Sequence, residues 1–188
     1  AADFKILSEN LIPKAQAAGT IVEIWGFDRR TNQLEDTAGL DVAEQYLDAQ
    51  IGIDWMFGGE LSLPLGPVLA AGLNRRANFY NPNADTAFMS NWTNLTFSQD
   101  IDAVVQVARG VARNQNVFLG GHSAGTGFTA RYAATDFDLG PGVDPGYTHV
   151  RGLVLLEGGG ATTGVTPTAD SLDRMIAKFD GGLHGAVR

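Results

Sequence analysis

The stretch Asn116-Val117-Phe118-Leu119-Gly120-Gly121-His122-Ser123-Ala124-Gly125 constrains the fold of this chain more than any other. Asn116 to Gly120 is short, apolar and of strand length. It runs into a glycine-rich turn that leads directly into a helix through about Ala134. A strand that becomes a helix within so few residues holds its central residue at a backbone angle that few side chains tolerate. Gly121 and Gly125 are therefore expected where a side chain would collide with the neighbouring strand and helix.

Other elements follow from spacing. Leu11, Ile12, Ala15 and Ala18 recur at helical intervals within Ser8 to Ala18, and Gly19 is the stop expected past a helix C-terminus. Thr20 to Phe27 is β-branched and aromatic and reads as a strand ending in the polar turn Asp28 to Asn32. Ser98 reads as the N-cap of a helix over Gln99 to Ala112, with Ile101, Val104, Val105 and Ala108 on one face and Asp100 and Asp102 near its N-terminus. Tyr147 to Glu157 reads as a strand, and its Leu and Val run from Gly152 predicts burial on both faces of a parallel sheet. Gly158 to Gly160 ends it, and Ala169 to Phe179 reads as a last helix. Between Asp41 and Thr96 the pattern loosens into an insertion rich in large apolar residues, among them Trp55, Met56, Phe57, Phe79 and Trp92. This order of helices and strands predicts an α/β fold with right-handed crossovers.

Composition narrows the function classes. The chain has 188 residues, 44% hydrophobic and 18% charged, which fits one globular domain rather than a disordered chain. With 13 basic residues against 21 acidic and a net charge of -8, a phosphate-tracking surface and a nucleic-acid partner are not expected. No apolar run reaches the roughly 18 residues of a membrane span, so none is expected. The absence of cysteine excludes disulfides and thiolate metal sites, and His, Asp and Glu show no metal-ligand spacing; no metal and no cofactor are expected. The compartment stays open. The chain starts at Ala1 rather than Met, which implies that something was removed upstream.

Gly121-His122-Ser123-Ala124-Gly125 matches G-x-S-x-G, between a strand and a helix whose N-terminus offers a partial positive charge and free backbone N–H groups, Ala124's among them. Here the chain resembles the lipase- and esterase-like α/β-hydrolase family. Ile21 to Asp36, IVEIWGFDRRTNQLED, is similar to that fold's fourth strand and following turn. The helix from Ser98, the strand Val117 to Leu119, the elbow and the strand Leu153 to Glu157 follow in the family's order. The resemblance covers about two thirds of the chain. It implies an α/β-hydrolase-like, mostly parallel sheet with flanking helices, the core formed by residues 1–40 and 97–188 and a helical cap or lid by residues 41–96. The family's last strands, and its first, have no counterpart here. The fold is thus expected to be incomplete at both ends, and a second chain or segment is expected to complete it.

By the same resemblance the chain is a serine hydrolase of carboxylic esters, with Ser123 the nucleophile that forms an acyl-enzyme and the Ala124 N–H an oxyanion donor. Glu157 is the candidate acid, or only a cap on the glycine turn. His184 is the candidate base, or a residue of a terminal loop whose role falls to a histidine beyond this chain. His122 borders the substrate, or packs sideways beside the nucleophile. His149 is expected on the surface at the sheet's other edge. Trp55 and Phe57 line an apolar pocket for aromatic or medium aliphatic esters, or form the cap's own core, while Arg75 and Arg76 lie on its outer surface. Asp28 and Arg30 read as a structural pair in the turn after the fourth strand, and the sequons at Asn91 and Asn94 are discounted. The alternative from another class is a non-catalytic α/β-hydrolase-like binding or interaction module.

Overall fold

The computed structural model describes residues 4–79, 85–158 and 167–182. The chain divides into two compact units, Ala1–Phe79 and Tyr80–Arg188. It is a mixed α/β protein, mostly helical, with one two-stranded parallel sheet among the described residues.

In the first unit, α1 (Lys5–Ala17) ends where Gly19 takes a positive φ of 75°, a left-handed stop that suits glycine. Residues 20–29 form no strand, contrary to their β-branched and aromatic composition, and Ile21 is 95% exposed. None of the described segments pairs with them, and a lone strand leaves its N–H and C=O groups to water. Helix α2 (Ala38–Tyr46) packs on α3 (Ala49–Phe57), whose N-cap Asp48 accepts the Gln50 N–H at 2.9 Å. The contact closes around Trp55, which is fully buried, and a Cβ at Gly39 would run into its indole ring. The short α4 (Gly66–Ala70) buries Val68.

The two arginines of this unit diverge. Arg75 is exposed, as expected, and pairs with Asp36 while its guanidinium sits 6.0 Å over the Trp55 ring. The hydrogen bond from Arg75 holds the Asp36 carboxyl below its usual range. Arg76 is half-buried instead of lying on the outer surface. Its guanidinium donates to the carbonyls of Asp54 and Leu63, acceptors that pull it inward.

In the second unit, α5 (Asn94–Val111) starts earlier than its apolar pattern suggests. Thr93, not Ser98, is the N-cap, and its hydroxyl accepts the Thr96 N–H at 3.3 Å. Ser98 is buried and accepts the Thr135 hydroxyl at 2.9 Å, and Asp102 is displaced from the helix start to its middle. Strand β1 (Phe118–His122) pairs in parallel with β2 (Gly152–Leu156), with Leu119 opposite Leu153 and His122 opposite Leu156. Between them runs α6 (Ala124–Ala134). The core is Ile101, Val105, Leu119 and Tyr132, flanked by Phe128, Phe137 and Val150, so α5 and α6 share the face of the sheet that Leu119 presents.

Strand β2 is not buried on both faces. Leu153, Val154 and Leu155 are exposed, Val154 by 44%, because α6 lies chiefly over β1. Its N-terminal part, read as strand from Tyr147, is a 3₁₀ turn (Gly146–His149). A last helix, α7 (Ala169–Asp180), is capped by Thr168. Among the described residues no helix is long and apolar enough to cross a membrane.

Candidate active site

Ser123 stands at the junction of β1 and α6 with φ 51° and ψ -120°, a backbone state that non-glycine residues rarely adopt. Three hydrogen bonds hold its peptide groups. The Ser123 N–H donates to the Leu156 carbonyl at 3.0 Å, which ties the turn to the C-terminal end of β2. The Ser123 carbonyl accepts the Thr126 N–H at 3.1 Å and the Thr126 hydroxyl at 2.7 Å.

Of the two flanking glycines, only Gly121 has the expected steric role: a Cβ there would run into the Gly125 carbonyl and press on the Thr129 hydroxyl. A Cβ on Gly125 would meet no heavy atom within 4 Å beyond its own helix backbone and chain neighbours. A third glycine, read in the sequence only as the end of the last strand, closes the site from behind. At Gly158 a Cβ would run into the Thr126 hydroxyl and crowd the Ser123 carbonyl.

Ser123 and Ala124 are both exposed. Ala124 opens α6, where the first N–H groups have no acceptor within the helix and the helix dipole is positive. This places a donor and a positive end next to an accessible hydroxyl.

His122 and Glu157 meet at the same end of the ladder, with Nε2 and Oε2 3.2 Å apart. Their side chains are 48% and 87% exposed, so Glu157 is not the buried carboxylate its place after an apolar strand implies. With β2 itself exposed, nothing desolvates it. Glu157 also has a positive φ, 50°, so both residues that end the paired strands, Ser123 and Glu157, are forced into tight turns. His184 lies outside the described residues. Trp55 is fully buried in the first unit, with no hydrogen-bond partner for its Nε1 among the described residues, and Phe57 ends α3 exposed.

His149 lies at the other end of the ladder, as its sequence position implies, but it is buried rather than on the surface. Its Nδ1 is 2.8 Å from Asp102 Oδ1 and its Nε2 is 2.8 Å from Asp144 Oδ1. Tyr132 donates its hydroxyl to the same Asp102 oxygen at 2.9 Å, and Phe137 stacks on the imidazole with ring centres 5.6 Å apart. Burial first, and then the Asp102 hydrogen bond, push the Tyr132 phenol well above its ordinary range. Sequence spacing carried no sign of this cluster, whose members come from α5, α6 and the loop before β2. Among the described residues no group of three His, Asp or Glu could hold a metal ion. No protein-family model matches the chain, and neither a curated protein nor a solved structure matches it.

Proposed function

We propose that this chain is a serine hydrolase of carboxylic esters with an α/β-hydrolase-like core, in which Ser123 is the nucleophile. The observation that carries the reading is the backbone of Ser123, strained at an exposed strand-to-helix junction and flanked by Gly121, where an added Cβ would clash with the Gly125 carbonyl. Such strain persists only where the surroundings over-determine it, and it clusters at reactive sites.

In this reading the Ser123 hydroxyl adds to the ester carbonyl, and the oxyanion is received by the Ala124 N–H at the positive end of α6. A histidine takes the serine proton and returns it to the leaving alcohol; water then releases the acyl group by the reverse path. His184 is proposed as that base and Glu157 as its acid. The favoured substrates are esters of aromatic or medium aliphatic acids, from the apolar content of residues 41–96. A fluorophosphonate forms a bond between serine oxygen and phosphorus as fluoride leaves, so it tests the nucleophile directly. Stoichiometric labelling of the folded chain, abolished in Ser123→Ala, is the expected result, and no labelling overturns it. The exposed Leu153, Val154 and Leu155 favour a second reading, a non-catalytic interaction module, which a folded but unlabelled chain supports.

A further inference from the structure

We infer that Thr126 is a positioning residue that aims the oxyanion donor, an inference that rests on the hydrolase reading of Ser123. Thr126 is almost wholly buried, 1% exposed, and its hydroxyl donates to the Ser123 carbonyl at 2.7 Å. That carbonyl belongs to the peptide plane whose other end is the Ala124 N–H. The peptide is planar and trans, so its C=O and N–H point in opposite directions. Anchoring the carbonyl inward on Thr126 therefore turns the Ala124 N–H outward, toward the exposed side of Ser123. A donor on the carbonyl also polarises the amide and makes its N–H a stronger donor.

The bond differs from an ordinary helical back-bond in what it grips. Thr129, one turn on, donates to the Gly125 carbonyl within α6 at 2.9 Å and so braces the helix alone. Thr126 makes its back-bond in the first turn, to the carbonyl of the N-cap, which is the strained residue itself. A Cβ at Gly158 would run into the Thr126 hydroxyl, so the chain just past β2 lies against that hydroxyl. The nucleophile turn is thus held twice, by the Leu156 carbonyl at the end of β2 and by the Thr126 hydroxyl of α6.

The test compares Thr126→Val, which keeps the shape and removes the hydroxyl, with Thr126→Ser, which keeps the hydroxyl. Thr126→Val should be labelled by the fluorophosphonate to full stoichiometry but about tenfold more slowly, and should lower kcat on a p-nitrophenyl ester with KM unchanged. Thr126→Ser should restore most of the rate. A wild-type labelling rate in Thr126→Val, or equal losses in both variants, overturns the inference. The Ala124 amide resonance in a ¹⁵N-labelled sample provides a readout independent of activity. It should move in Thr126→Val and stay near its wild-type position in Thr126→Ser; an unmoved resonance in Thr126→Val overturns the inference as well. Should Thr126→Val not fold, Thr126→Ala takes its place in the same measurements. If the wild-type chain is not labelled at all, the hydrolase reading fails, while the amide resonance still decides whether Thr126 governs the peptide plane.

Discussion

At the C-terminal end of the β1–β2 ladder, Ser123 is exposed and its backbone is strained. At the N-terminal end, His149 is buried with both ring nitrogens hydrogen-bonded. Both ends bring polar groups from distant parts of the chain together. They differ in what surrounds those groups. Under Tyr132, Phe137 and the helices α5 and α6, every polar atom taken from water needs a partner, and Asp102, Asp144 and the Tyr132 hydroxyl supply them to the imidazole. At the Ser123 end the groups remain in reach of solvent, and the hydrogen bonds are spent on the backbone instead. One end stabilises the unit and the other spends stability to hold an accessible side chain in one geometry.

The largest expected effect tests the stabilising end. His149→Ala empties the buried space of the ring, which stacks on Phe137 and links Asp102 to Asp144, so urea unfolding should show a loss of about 3 kcal/mol. A loss under about 1 kcal/mol would mean that the buried network adds no more than one ordinary hydrogen bond, and the contrast between the ends would break. Next comes the strained end. Gly121→Ala should cost about 2 kcal/mol, because the obstructing atom is the backbone carbonyl of Gly125. Gly125→Ala, with open space around its Cβ in a helix, should change stability by less than about 1 kcal/mol and in the favourable direction. Equal effects at the two glycines would contradict the geometry of the turn.

Tyr132→Phe is also a small change, a loss of about 1 kcal/mol, for the hydroxyl given up to Asp102. It also carries a pH signature. The folded state holds the phenol proton more tightly than the unfolded chain does, so stability is full below the ordinary tyrosine value of about 10 and falls as pH rises above it. Thermal melts of the wild type between pH 9 and about 11 should show that fall, and Tyr132→Phe should flatten it. Parallel slopes in the two proteins would show that Tyr132 is not the group responsible.

Much of the helical content was legible in the sequence. α1 stops at Gly19, α6 begins at the G-x-S-x-G turn, and α7 matches its spacing at Ala169, because each depends on residues within a turn or two of one another. Ser98 shows where local reading slips. It has an N-cap's composition, but Thr93 caps α5, and burial against Thr135 gives Ser98 a different hydroxyl partner. The strands were harder to read. Thr20 to Phe27 is as β-prone as Phe118 to His122, yet only the second segment has a partner strand among the described residues.

The motif that carries the candidate chemistry is legible in the chain alone: a serine between a strand and a helix, flanked by glycines of which Gly121 meets the expected clash. The packing of distant segments decided that Glu157 faces His122 in the open and that His149 is enclosed rather than exposed, whereas the Thr126 bond to the serine's carbonyl spans only three residues. A backbone turn is set by neighbouring residues. By contrast, the burial and partners of a polar side chain depend on which segments pack together, and here those lie 35 residues apart for His122 and Glu157 and 47 apart for His149 and Asp102.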